Sequence, residues 1–243
     1  MRVLKAGAPL TVMAPKEKGG SRIAKELEAF GCDVTAASRR HQRICQTVRP
    51  PAFTAEAEAL KDAAIAAGAP CFVDAIGLWS QPGIFSWDRI DPGTALLLSA
   101  LPSLTGRGVD LGCGLGVIAR AVLAGPDVAQ LACVDIDHRA IKAARRNIAD
   151  ARATFHWADG RRLEGLGDMD FIVMNPPFHD GGQEDRALGE TFIRQSHHML
   201  RDGGAAWLVA NRHLPYESVL FATFPKAALR AEQDGFKVYE ARK

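Results

Sequence analysis

The run "VDLGCGLG" sets Gly112, Gly114 and Gly116 between an apolar stretch and a helical one. Without side chains there, a ligand can approach the backbone and the N-terminus of the helix that follows. The spacing is D-x-G-x-G-x-G from Asp110, and the dinucleotide pattern G-x-G-x-x-G fits less well because Val117 stands where its third glycine belongs. Asp135, followed by Ile136, closes the next apolar stretch about 20 residues on, where a carboxylate of a doubly wound sheet can accept hydrogen bonds from both ribose hydroxyls. A cofactor bearing adenosine is implied. Asp159, at the end of "TFHWAD", is placed to take the adenine amino group, and a cap on the next turn is its alternative role. A second stretch, "FIVMNPPFHD", ends an apolar run with Asn175 and follows it with Pro176 and Pro177, neither of which can donate a ladder hydrogen bond. Asn175 is therefore held at the carboxyl end of a strand.

In order and spacing, these motifs resemble the class I S-adenosylmethionine-dependent methyltransferases over roughly residues 76 to 243. The chemistry of the Asn-Pro-Pro turn follows from the poor nucleophilicity of an exocyclic amine, whose lone pair is delocalised into the ring. The side-chain carbonyl of Asn175 and the backbone carbonyl of Pro176 can each accept one N–H, turning the lone pair toward a methyl donor. The prolines keep the turn rigid, and Phe178 offers a face for stacking a base drawn out of its helix. An isolated "NPPF" is more often a capped turn with a core phenylalanine, but behind an acidic glycine loop the balance reverses. Adenine amines, guanine amines and glutamine side chains all suit this turn.

The longer string "NPPFHDG", with "PGIFSWDRIDPGTALLL" before it and "LPY" and "FKVYEA" after it, resembles the bacterial ribosomal RNA guanine-N2 methyltransferases of the RsmC-like family. The resemblance implies methyl transfer from S-adenosylmethionine to a guanine amine in ribosomal RNA of the small subunit. It assigns Asp110, Gly112, Gly114, Gly116, Asp135, Ile136, Asp159 and Asn175 to the cofactor, and Asn175, Pro176, Pro177 and Phe178 to catalysis. Phe178 and His179 would touch the base, and Phe85, Ser86, Asp91 and Thr94 would form a wall near the cofactor. Family members usually carry two similar α/β domains, the first without cofactor motifs and serving RNA recognition or folding. About 75 residues precede the catalytic part here, resembling the second half of that degenerate domain. Two alternatives stay open: a methyltransferase for adenine N6 or a protein glutamine, and a non-catalytic RNA-binding or ribosome-assembly protein on the same fold.

The elements that must position these residues alternate from about Leu104 onward. Strands are expected at "GVDL", "LACVD", "TFHWAD", "FIVMN" and "AAWLVA", with helices at "VIARAVLAG" and "HRAIKAARRNI" and a hairpin around Asp234-Gly235. This predicts an α/β fold: a doubly wound, seven-stranded, mostly parallel sheet closed by a C-terminal antiparallel hairpin, in residues 76 to 243. Residues 1 to 75 read as a small partial α/β domain with strands at "PLTVMAP", "DVTAAS" and "RICQTV" and a helix capped by Ser21 and ended by Gly31. An Ala-rich helix follows in "TAEAEALKDAAIAAGAP", and no internal repeat is visible.

Bulk properties fit a soluble globular protein, since 47% of 243 residues are hydrophobic and no apolar run nears the roughly 18 residues of a membrane span. A cytoplasmic location follows by default. The five cysteines form no C-x-x-C pair, and neither a disulfide framework nor a metal site is expected. The net charge of +2 conceals an asymmetry: residues 1 to 50 hold ten Lys/Arg against four Asp/Glu, and the remainder twenty against twenty-four. Within that basic front, "SRRHQR" supplies Arg39, Arg40 and Arg43, whose guanidinium forks suit phosphates. A solvated loop is the competing reading. "RRNI" and "GRR" read as solvated helix and loop faces, and the two histidines of "QSHHML" as structural.

Overall fold

The computed structural model describes residues 3–177, 179–180, 183–184 and 186–243. The chain forms two compact units, residues 1–69 and 70–243. The boundary expected near residue 75 falls earlier because β4 (Cys71–Val73) pairs with β5 (Leu78–Ser80) inside the second unit.

In the second unit, β6 (Gly106–Leu111), β7 (Val128–Asp135), β8 (Ala153–Trp157), β9 (Met169–Met174), β12 (Leu200–Asn211), β13 (Lys226–Gln233) and β14 (Phe236–Arg242) make one sheet in the order β13-β14-β12-β9-β6-β7-β8. Pairing is parallel from β12 to β8, and β14 is antiparallel to both β12 and β13. The expected fold class is the one observed, with a short ribbon of β10 (His179–Asp180) and β11 (Gln183–Glu184) added beside it. β8 stops at Trp157, so Asp159 lies two residues beyond the strand it was expected to end.

Alternation along the strands divides the core between two faces. Val109, Leu111, Ile172 and Met174 pack under α6 (Arg186–Met199) and α7 (Glu217–Thr223). Cys133, Phe171, Val173 and Trp207 pack under α3 (Pro92–Ala100), α4 (Val117–Leu123) and α5 (His138–Asn147). Among the described residues, no helix is long and apolar enough to cross a membrane.

The first unit is a three-stranded antiparallel sheet in the order β1-β3-β2, built from β1 (Pro9–Pro15), β2 (Thr35–Arg39) and β3 (Gln42–Val48). Leu27 of α1 (Ile23–Ala29) meets Cys32 and Cys45 in its small core. Ser21 does not cap this helix; it lies within a 3-10 turn, Gly20–Arg22, and α1 begins without a side-chain cap. The Ala-rich helix α2 (Ala55–Ala67) starts on the Thr54 hydroxyl, which accepts the Ala57 N–H at 3.2 Å.

A repeat invisible in the sequence is present in the topology. The run β1-α1-β2-β3 has the connectivity and antiparallel pairing of β12-α7-β13-β14, whose strands lie in the equivalent order β12-β14-β13. Each hairpin turns over two residues with positive φ, Arg40 and His41 in one and Asp234 and Gly235 in the other, as a tight hairpin turn requires.

Asp110 is fully buried on the α4 side of β6, where its Oδ2 accepts the Ala119 N–H at 3.0 Å. Burial pushes its carboxyl up to about 7. The folded state then retains a proton that the unfolded chain has lost, so stability falls as pH rises from about 4 to about 7. Asp110→Asn keeps an acceptor for Ala119 and removes the ionisation. Denaturant unfolding at pH 5 and pH 8 is expected to show a smaller loss of stability in the variant, the difference reaching roughly a few kcal/mol. Identical pH dependence in the two proteins would show that Asp110 does not titrate in this way.

Candidate active site

β6 and β9 are neighbours in the sheet, but the chain leaves β6 toward β7 and β9 toward β12. Loops from two such strands diverge, and a crevice opens at their carboxyl ends. Gly112 follows β6, Ile136 follows β7, and Asn175 follows β9. A cavity of ≈ 360 Å³ lies there, lined by Phe85, Gly112, Gly114, Asp135, Ile136, Asp159, Asn175, Pro176 and Pro177 among others.

The glycine loop is shaped by left-handed backbone, with φ of 83°, 51° and 81° at Gly112, Gly114 and Gly116. The three have different surroundings. A Cβ on Gly114 would meet nothing within 4 Å, and one on Gly112 would come no nearer to a neighbour than 3.8 Å, so both open toward the cavity. On Gly116 it would strike Ile148 at 2.7 Å, which makes this glycine a packing requirement away from the cavity lining. Asp110 is likewise absent from the lining, since it faces α4.

Asp135 holds the loop in place. Its Oδ2 accepts the Gly114 N–H at 2.8 Å and its Oδ1 the Asp137 N–H at 2.7 Å, and burial raises its carboxyl above the ordinary value. Each oxygen keeps acceptor capacity for a ligand. Ile136 beside it is largely exposed, and its carbonyl receives the Trp157 indole N–H at 2.9 Å. Asp137 caps α5 through the Arg139 N–H at 2.8 Å, while the Arg139 guanidinium reaches the Gly83 carbonyl at 3.0 Å. This ties the segment carrying Phe85 and Ser86 to the start of α5.

Asp159 lines the cavity, but its carboxylate accepts the Arg161 N–H at 3.0 Å and two guanidinium N–H groups of Arg161 at 2.7 and 2.8 Å. The Arg161 guanidinium holds this carboxyl below the usual range. The capping role given above as an alternative is thus the one the side chain fills within the chain.

Asn175 is anchored by its nitrogen. Nδ2 donates to Asp91 Oδ2 at 2.9 Å and to Thr94 Oγ1 at 3.0 Å. Asp91 also caps α3, accepting the Thr94 N–H at 2.8 Å. Phe178 and the side chain of His179 lie outside the described residues. The lining also includes Ile84, Leu188 and Phe192, which the sequence did not mark, and Arg161, which it read as solvated. Leu188 and Phe192 share one face of α6 at helical spacing, a pattern that says "buried" and cannot say "beside a cavity". Among the described residues, no group of His, Cys, Asp and Glu is arranged to hold a metal ion.

In the first unit, Arg39 and Arg40 border a shallow depression with Met13, Gln42 and Ile44. Strand alternation puts Arg43 on the opposite face of β3 from Gln42 and Ile44, toward α1. The three arginines therefore do not form one cluster.

Residues 75–240 match the sequence model of the methyltransferase small domain. The chain is 34% identical over 238 residues to the ribosomal RNA small subunit methyltransferase C of Pseudomonas entomophila, covering 97% of this chain and 71% of that protein. The chain belongs to this methyltransferase family. With the protein of the same name from Shewanella loihica it shares 41% identity over 164 residues, covering 66% of this chain and 47% of the relative. Matches of this kind span about half the length of the Shewanella relatives. A T. thermophilus 16S rRNA methyltransferase, solved with AdoMet and guanosine, superposes with a TM-score of 0.78 at 24% identity, covering 100% of this chain and 66% of that one; this shows the fold.

Proposed function

We propose that the chain transfers a methyl group from S-adenosylmethionine to the exocyclic N2 amine of a guanine in ribosomal RNA of the small subunit. The observation that carries this reading is the meeting of Asp135 and Asn175 on one cavity at the switch point of the sheet. The relatives named above and the AdoMet and guanosine of the T. thermophilus complex support it. The same amide chemistry would serve adenine or glutamine, but no relative named above points there.

The residues present fit the cofactor. Asp135 offers carboxylate oxygens to ribose hydroxyls, Gly112 and Gly114 leave room against the backbone, and Ile136 gives an apolar edge for a purine ring. Asp159 can add an acceptor at the far end only with the oxygen capacity that Arg161 leaves it. Asp110 and Gly116 serve the cofactor indirectly, by setting the start of α4. When bound, S-adenosylmethionine would supply an electrophilic methyl group. The chain's own task is to present the amine: Asn175 Oδ1 and the Pro176 carbonyl take its two protons in hydrogen bonds, and Pro177 holds the turn. Phe178 and His179 are assigned to the base. The amine is oriented without a general base of matched pKa.

The first unit, by its topological repeat of the second unit's tail, reads as similar to the second half of a degenerate methyltransferase-like domain, with Arg39 and Arg40 gripping RNA phosphates. The substrate would be ribosomal RNA within a small subunit or its precursor, in the cytoplasm.

Calorimetry with S-adenosylmethionine is expected to show binding that Asp135→Ala weakens by about 100-fold or more, since hydrogen bonds to a charged group are lost. Unchanged affinity would remove Asp135 from the site. In a methyl-transfer assay on ribosomal RNA, Asn175→Ala should lower turnover by about 100-fold while cofactor affinity stays near wild type. Retained turnover would exclude the amine-holding role. For the front unit, Arg39→Gln with Arg40→Gln should reduce the salt dependence of RNA binding by a slope of roughly 0.7 per lost single-strand phosphate contact, whereas Arg43→Gln should leave it unaltered. Equal slopes in all three proteins, measured by filter binding, would assign the basic front a role other than gripping RNA.

A further inference from the structure

The hydrogen bonds around Asn175 have a polarity that narrows what the cavity accepts. A carboxylate oxygen can only accept, so the atom of Asn175 that faces Asp91 Oδ2 at 2.9 Å must be its amide nitrogen. The second amide proton goes to Thr94 Oγ1 at 3.0 Å. With both protons spent, Oδ1 is the atom of this amide left for a ligand, and it can only accept. Turning the amide over would set a carbonyl oxygen against a carboxylate and leave the buried Thr94 to a different partner.

The two anchors are themselves fixed. Asp91 Oδ2 is also the cap of α3, accepting the Thr94 N–H at 2.8 Å, so one oxygen joins the strand end of β9 to the first turn of the helix. Pro92 follows at the first helical position, pre-set in φ, and Gly93 lets this turn approach the Phe236 ring so closely that a Cβ would lie 2.7 Å from it. Little room is left for the Asp91–Thr94 pair to move.

We infer that Asp91 and Thr94 are positioning residues that lock the Asn175 amide with its oxygen toward the cavity, so that the site takes a group donating N–H and rejects one presenting only an acceptor at that point. A guanine N2 amine fits, whereas the O6 carbonyl edge of the same base does not. Asp91 and Thr94 thereby choose which edge of the purine enters. This rests on the function proposed above.

The lock can be read without turnover. In the free protein, nuclear magnetic resonance should find the Asn175 side-chain amide protons, assigned by their loss in Asn175→Asp, exchanging at least about tenfold more slowly than a solvent-exposed amide, and Thr94→Val should abolish that protection. Exchange at the free-amide rate in the wild type would overturn the lock whatever the activity. In methyl transfer to ribosomal RNA, Thr94→Val should lower kcat about tenfold with KM for S-adenosylmethionine and thermal midpoint near wild type, and Thr94→Ser should restore it. Asn175→Asp sets two carboxylates against each other and should cost about 100-fold in turnover. A folded, cofactor-binding Thr94→Val protein with wild-type kcat would also overturn the proposal. Absence of transfer by the wild type would instead strike the proposed function, leaving the exchange measurement to decide the lock.

Discussion

Two adjacent parallel strands, β6 and β9, hand their chains to opposite sides of the sheet, and the site depends on that divergence. Had both loops turned the same way, one helix would cover the strand ends and no crevice would remain. Because they part, the turn after β6 can bring Gly112 and Gly114 to the same cavity as Asn175 at the end of β9. β7, next to β6, adds Asp135 to the same row. Register then decides depth: Asp110 pairs with Val173 and Leu111 with Val134, so the three strand ends finish nearly level.

Carboxylates gather around this row, and each is tied to the backbone. Asp91, Asp110, Asp135, Asp137 and Asp159 all accept at least one main-chain N–H from a following turn or from the glycine loop. Such bonds satisfy donors that a helix start leaves open and offset part of the cost of taking charge from water. The degree of burial separates the members. Asp110, wholly enclosed, is driven toward the neutral form, while Asp137 and Asp159, each facing an arginine, are held ionised. Asp135, Asp137 and Asp159 line the cavity itself, whereas Asp91 and Asp110 act from behind it.

The first unit shows how little chain suffices to repeat a fold fragment. A strand, a helix and a tight hairpin give three antiparallel strands with one face covered by α1, the arrangement that closes the larger sheet with α7. Its turn places Arg40 and His41 in the left-handed region, where glycine, Asn or Asp would be easier, and Asp234-Gly235 makes the corresponding turn with residues suited to it. The shared topology left no shared motif, because a pattern of strand, helix and hairpin needs only alternation and turn chemistry.

The sequence by itself determined the elements and the end of the sheet that carries the candidate site. Period-two and helical patterns placed the strands, Asp234-Gly235 placed the hairpin, and two prolines held Asn175 at a strand terminus, all through local sterics and hydrogen bonding. Only tertiary structure decided which marked residues meet. Asp110 and Gly116 carry the motif yet turn to α4 and Ile148, because side-chain direction depends on strand register. Asp159 is met by Arg161, and Arg43 is parted from Arg39 by a single step of alternation. Asp91 and Thr94, more than 80 residues before Asn175, reach its amide through packing of α3 against the sheet. Local sequence carries no signal for such a contact, since its distance is set by the whole fold.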